Sequence, residues 1–275
     1  MPKPTSSEQR PNDPAATNRE VFDAAAGDRI YADRSLQPAE RQALKRLGRD
    51  LHGMEMLDIG VGAGRTGYTF APLVRRYVGV DYSPRMIAAS EALLGADENV
   101  TLVVGDARDL SMIEGRFDFA LFSFNGIDAI DYEDRAKVFA GVKAALRPGG
   151  WFLFSTHSIG ALPLDEARPP SKAFGGSRLY GLYAAAMGIP YARRIRRINA
   201  TIDLELARRQ GWISIQSMSH DFQVRDVYVD PELQVSQLEA LDFRVEAIFD
   251  VEGEPVSLPT SSRSPWFDYL CRLPA

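Results

Sequence analysis

A short apolar run at residues 54–59 breaks off into Gly60-Val61-Gly62-Ala63-Gly64, and this junction limits the possible folds more than any other feature of the chain. An apolar segment of that length bounded by glycines reads as a buried strand. Glycines directly after it let the backbone turn sharply and approach a ligand closely. Similar runs recur: residues 77–80 stop at Asp81, residues 100–104 at Gly105-Asp106, and residues 117–124 and 151–156 form a fourth and a fifth. The last follows the turn Arg147-Pro148-Gly149-Gly150. Helix-like stretches at 66–76, 83–94 and 133–146 lie between the runs, and Ser83-Pro84 has the form of an N-cap with proline at the first helical position. Strands alternating with helices imply a doubly wound, mostly parallel sheet with right-handed crossovers.

The rest of the chain departs from this rhythm. Residues 231–241 read as a helix, and 243–251 and 266–273 as two strands that would form an antiparallel C-terminal edge, giving seven strands in all. Residues 158–228, with Pro169-Pro170, Gly175-Gly176 and many aromatics, are too long for a simple connection. They read as an inserted lid between strand five and the last helix. Residues 1–20, rich in Pro, Ser, Asn and Thr, read as a mobile tail. The expected organisation is therefore a tail (1–20), one α/β domain formed by 21–157 and 229–275, and the insertion (158–228).

Composition removes other classes. No run of 18 apolar residues occurs, so no membrane span is expected. The N-terminus lacks the apolar region of a secretory signal. A single cysteine, Cys271, allows neither an internal disulfide nor a cysteine metal cluster. A cytoplasmic location follows as the default. The net charge of −5 tells against a nucleic-acid clamp. The basic run Arg193-Arg194-Ile195-Arg196-Arg197 reads as a solvated helix face, or else as a docking site for an acidic group or surface.

In parallel sheets ligands bind beyond the carboxyl ends of the strands, and acids stand at those ends here. Asp58 precedes the glycines. Asp81 lies 21 positions beyond Gly60, the spacing of an acid that accepts from ribose hydroxyls. Asp106 follows strand three, where a carboxylate can accept from an adenine amine. A nicotinamide dinucleotide is the competing ligand. Against it, Arg65 fills the place of the fingerprint's third glycine, and Asp58 would repel a pyrophosphate while suiting an ammonium group.

The stretches LDIGVGAGRTG, GVDYSPRMI, VVGDARDL, FDFALFSFNGIDAI and LRPGGWFLFSTHS together resemble the class I S-adenosylmethionine-dependent methyltransferases. PELQVSQLEALDFRVEAIFD resembles that family's late helix and strand, with Asp242 where glycine is usual. The resemblance implies a Rossmann-like fold and S-adenosylmethionine as co-substrate, leaving as S-adenosylhomocysteine, with no metal. It implies that Gly60, Gly62 and Gly64 line the methionine part, with Asp58 near its amine. Asp81 would hold the ribose, Tyr82 and Met86 pack near the adenine, and Asp106 and Ala107 meet its amine edge. Ser123, Phe124 and Asn125 would stand beside the transferring methyl. Tyr31 lies where many relatives close an aromatic over the cofactor; a core aromatic is the other reading.

Two histidines are candidate bases: His157, after strand five, and His220, in Ser219-His220-Asp221. A structural or substrate-orienting role is open for each, while His52 falls at the wrong end of the sheet. Asn125 and Asp128 follow strand four in a sequence unlike the Pro-Pro motif of nucleic-acid amino methylation. Phe174, Tyr180, Tyr183, Tyr191, Trp212, Phe222 and Tyr228 of the insertion would build core or wall an apolar pocket. The expected acceptor is a small organic molecule. A peptide or protein acceptor, and a module that binds the cofactor without catalysis, stay as alternatives; the oligomeric state is open, a homodimer included.

Overall fold

The computed structural model describes residues 14–25, 34–95, 97–162, 193–217 and 222–275. Five parallel strands, β1 (Glu55–Ile59), β2 (Arg76–Asp81), β3 (Val100–Val104), β4 (Phe117–Phe122) and β5 (Leu146–Ser158), stand in the order β3-β2-β1-β4-β5. The order reverses between β1 and β4, which places a crevice beyond their carboxyl ends. β1 earns its central place through Met56, Leu57 and Ile59, all fully buried. Such near-continuous apolar runs suit strands covered on both faces.

One face carries Val138, Phe139 and Val142 of α5 (Tyr132–Ala145) and Leu238 of α7 (Pro231–Glu239). The other carries Ala43 and Leu47 of α2 (Pro38–Leu47), Phe70 of α3 (Gly67–Phe70) and Ile87 of α4 (Pro84–Leu94). At α4 the expected cap is present: Ser83 Oγ accepts from the Met86 N–H at 3.1 Å. The helix expected over 66–76 is only one α-turn followed by a 3-10 turn, Ala71–Leu73. Pro72 explains this, because it lacks the N–H that would continue the ladder.

The antiparallel C-terminal edge is formed by β8 (Arg244–Phe249) and β9 (Trp266–Arg272), with β9 pairing Trp151–His157 of β5. Among the described residues the sheet has nine strands, where seven were expected. The additional pair, β6 (Trp212–Gln216) and β7 (Arg225–Val229), comes from the segment expected to be an insertion, just after α6 (Leu204–Gln210). β7 runs parallel to β5 only at His157 and Ser158. Since β9 holds one edge of β5 there and β4 ends at Phe122 on the other, β7 takes the edge that β4 vacates. The hairpin therefore stands at the ligand end of the sheet. Its own small core joins Ile195, Ala207, Ile213, Ile215 and Phe222.

A helix, α1 (Pro14–Ala25), occupies residues expected to belong to the tail. Asn18 Nδ2 donates to the main-chain oxygens of Ala129 (3.0 Å) and Arg225 (3.2 Å), while Asp23 accepts from Ser83 Oγ. The helix thus runs from the end of β2 to the turn after β4, across the crevice. No described helix is long and apolar enough to cross a membrane.

Candidate active site at the carboxyl ends of the strands

The glycine segment turns over the end of β1 with positive φ at Gly60 (65°), Gly62 (56°) and Gly64 (89°). A Cβ on Gly60 would come within 2.8 Å of the Phe122 ring, so loop and β4 can meet only without a side chain there. At Gly62 a Cβ would meet nothing closer than a main-chain oxygen at 4.0 Å, which leaves that face of the loop open.

Asp81 fastens the loop to the next strands. Its Oδ2 accepts from the Gly62 N–H at 3.0 Å and its Oδ1 from the Ser83 N–H at 2.9 Å, while its main-chain oxygen accepts from Gly105 N–H at 2.9 Å. Burial pushes the carboxyl up, the two N–H groups oppose that, and Asp23 nearby pushes it further up.

Asp58 is turned inward. The hydroxyls of Thr66 and Tyr77 both donate to its Oδ2, the latter at 2.6 Å, and burial raises the carboxyl to about 6 against those bonds. Tyr77→Phe should therefore cost about 1–3 kcal/mol of stability, the range for removing a buried partner from a polar group. Urea unfolding measures it; a loss under about 0.3 kcal/mol would show that Thr66 alone suffices.

Asp106 is held by Arg108 in a bidentate pair, closest at 2.7 Å, and Arg108 also reaches Asp134 at 3.4 Å. Any adenine amine would share this carboxylate with a guanidinium. Ala107 packs beside the core, Met86 is buried in α4, and Tyr82 lies tilted against Phe22 of α1 at 6.3 Å.

At the end of β4, Phe124 and Asn125 both adopt left-handed backbone (φ 53° and 59°). Consecutive non-glycine residues there are strained, and such strain gathers at functional sites. Ser123 joins a half-buried cluster: its Oγ donates to Glu40 and accepts from Arg65 at 2.9 Å, and Arg65 pairs bidentately with Glu40 at 2.6 and 2.7 Å. The Arg65 guanidinium also lies over the exposed Phe124 ring, 5.6 Å from its centre.

His157 meets this edge from β5. Its Nδ1 lies 2.8 Å from Asp128 Oδ2 in a bent contact, and its Nε2 lies 3.3 Å from Asn125 Nδ2. The ring stacks on Tyr228 at 4.7 Å and meets the edge of Trp266 at 6.4 Å. Burial works to lower its pKa, but the carboxylates of Asp128 and Asp226 prevail and hold it above the ordinary histidine value. Tyr31 and His220 lie outside the described residues, as do Phe174, Tyr180, Tyr183 and Tyr191. Of the other aromatics, Trp212 stacks flat on Tyr132 at 4.2 Å and Phe222 is buried under Arg194. The four arginines of 193–197 are exposed around a buried Ile195, a solvated helix face. His52 is exposed ahead of β1.

Sequence reasoning placed Gly60, Gly62, Gly64, Asp81, Ser123, Asn125 and His157 at one end of the sheet, where they stand. It missed Glu40, Asn18 and Asp23, and it noted Arg65 only for its bulk. A signal for Glu40 existed: Gln37-Pro38 with an acid at 40 is a helix start, and Glu40 does accept from the Gln37 N–H at 2.7 Å.

Residues 56–150 match the family described as a methyltransferase domain. That segment spans β1 to the start of β5, so the part of the chain that forms the crevice is similar to methyltransferase domains. An uncharacterized methyltransferase of Bacillus subtilis is 34% identical over 114 residues, 40% of this chain and 44% of that protein. Phosphoethanolamine N-methyltransferase 2 of Caenorhabditis elegans is 26% identical over 200 residues, 72% of this chain and 41% of that protein. The chain thus spans under half the length of these curated relatives. The 1,6-didemethyltoxoflavin-N1-methyltransferase of Burkholderia thailandensis, solved with 1,6-didemethyltoxoflavin and S-adenosylhomocysteine, shares the fold at a TM-score of 0.60 and 16% identity, over 98% of this chain and 93% of that one.

The crevice suits the co-substrate that the sequence resemblance implies. The open Gly62 face lies beside the buried acid Asp81, and Asn125 Oδ1 is buried without a hydrogen-bond partner among the described residues. An orphaned buried acceptor is costly unless a ligand or water meets it.

Proposed function

We propose that the chain transfers a methyl group from S-adenosylmethionine to a small organic acceptor by in-line displacement. The observation that carries this reading is the joining of the first three strand ends at one residue, Asp81, whose carboxylate holds the Gly62 and Ser83 N–H groups and whose main-chain oxygen holds that of Gly105, beside the β1–β4 crevice. When bound, S-adenosylmethionine supplies a methyl carbon already activated by a sulfonium. The residues of the chain therefore chiefly bind and orient, a contribution of about 7–11 kcal/mol.

In this reading Gly60, Gly62 and Gly64 line the methionine part, and Asp58 sets the field near its amine. Each Asp81 oxygen keeps a lone pair for a ribose hydroxyl after its backbone bond. Tyr82 and Met86 flank the adenine, with Asp106 and Ala107 at its amine edge. Ser123, Phe124 and Asn125 stand beside the methyl, and residues 158–228 cover the acceptor. His157, where β5 meets the hairpin, is the base we favour. The small acceptor is supported by the aromatic surround of His157 and by the relatives above, one acting on phosphoethanolamine and one on 1,6-didemethyltoxoflavin by name.

Titration calorimetry with S-adenosylmethionine and with NAD tests the binding: heat with the first alone is expected, and none with it would end the reading. Release of S-adenosylhomocysteine across panels of phenols, amines and short peptides tests the acceptor. Turnover confined to the peptides would replace the small molecule by a polypeptide.

A further inference from the structure

Asp128 is fully buried in the 3-10 turn Gly126–Ala129 after β4, yet it touches the ligand edge through His157. Its Oδ1 accepts from Arg135 Nη1 at 2.7 Å and from Thr156 Oγ1 at 2.5 Å. Its Oδ2 accepts from the His157 main-chain N–H at 2.7 Å and lies 2.8 Å from Nδ1 of the ring. Arg135 is itself fully buried, and its Nη2 donates to Thr156 Oγ1 (3.0 Å) and to Gln234 Oε1 of α7 (2.9 Å). A chain of side chains thus runs from α7 through α5 to His157. Burying an ion pair gains little stability over apolar residues of the same size. On the crevice side of this pair stands the His157 imidazole.

We propose that Asp128, clamped by Arg135, is a positioning residue that keeps the proton of neutral His157 on Nδ1, leaving Nε2 to take the proton of the acceptor's nucleophilic heteroatom. This rests on the methyl-transfer reading and narrows it to acceptors whose nucleophile bears a proton, a hydroxyl or an ammonium-forming amine. The balance is simple. The heteroatom's lone pair forms the bond to the methyl carbon, the carbon–sulfur pair stays on sulfur, and the heteroatom's proton passes to Nε2. The imidazolium, opposite Asp128, then releases a proton to water. A carboxylate at one ring nitrogen sets which nitrogen is left basic. Tyr228 and Trp266 fix the ring plane, and Asn125 Nδ2 sits beside Nε2.

The charged groups facing the ring are Asp128 from the turn, Asp226 from β7 and Arg135 from α5; Tyr228 is kept neutral by burial. Histidine ¹⁵N NMR of the free protein should show His157 as the Nδ1–H tautomer, titrating above the ordinary 6.5 or so. A base acts when unprotonated, so turnover should rise with pH through that same midpoint. Asp128→Asn should move both the midpoint and the rising limb to lower pH and cut kcat about 10²–10⁴-fold, with affinity for S-adenosylmethionine unchanged. A wild-type Nε2–H tautomer, or a titration indifferent to Asp128→Asn, would overturn the proposal. Should that variant not fold, the wild-type titration decides, together with His157→Gln at the partly exposed edge, which should lose turnover and keep calorimetric binding. Failure of the wild type to bind S-adenosylmethionine would instead remove the parent reading.

Discussion

Arg135→Ala is expected to lower the unfolding free energy by about 3–5 kcal/mol, the cost of leaving one partner of a buried pair uncompensated. The guanidinium and the Asp128 carboxylate are both fully buried, 2.7 Å apart. Removing the arginine leaves the anion with Thr156 and the His157 N–H, and leaves Gln234 Oε1 without its donor. The carboxylate must then take up a proton, draw water into the polar space that the arginine vacates, or loosen the local fold. Urea unfolding should show a lower midpoint with an unchanged slope. The cause can be separated from a simple cavity. If the stranded charge dominates, adding Asp128→Asn to Arg135→Ala should restore part of the loss, a coupling visible in a double-mutant cycle. Strict additivity would mean that packing alone accounts for the effect.

The parallel core was legible because each strand contains an apolar run, and the first three runs stop at a glycine or an acid. β3 matches its expected limits, and β1, β2 and β4 differ by one or two residues. Ser83-Pro84 fixed the start of α4 by local chemistry that does not depend on the rest of the fold. α1 was illegible for the opposite reason. Its inward residue is an asparagine, Asn18, whose partners lie 111 and 207 positions away. Nothing local marks such a residue as buried. The β6–β7 hairpin carried a signal, Trp-Ile-Ser-Ile-Gln with Ile213 and Ile215 inward, but it lies in a long irregular segment that reads as a single insertion rather than as part of the sheet.

For the site, sequence order fixed which residues follow each strand, but not which partners they find. Asp106 was assigned to a ligand, and the side chain two positions on, Arg108, folds back to take both its oxygens. Glu40 sits 25 positions before Arg65 and 83 before Ser123, yet the three are bonded together. Electrostatic pairings of this kind are decided by packing of α2 on the sheet, which no spacing rule describes.

The same reasoning bears on Asp81, whose carboxylate serves two masters. Asp81→Ala should weaken S-adenosylmethionine binding by about 1–3 kcal/mol through lost charged hydrogen bonds, roughly 5- to 150-fold by calorimetry. It should also strand the Gly62 and Ser83 N–H groups, and so lower the stability of the free protein. The two effects can be told apart. Asp81→Asn keeps a side-chain oxygen for one of those N–H groups but removes the negative charge, so it should recover more stability than affinity. If Asp81→Ala destabilised the free protein while leaving the dissociation constant unchanged, Asp81 would be an anchor of the glycine loop only. The ribose would then have to be held elsewhere in the crevice, and the convergence of the first three strand ends would serve the fold rather than the ligand.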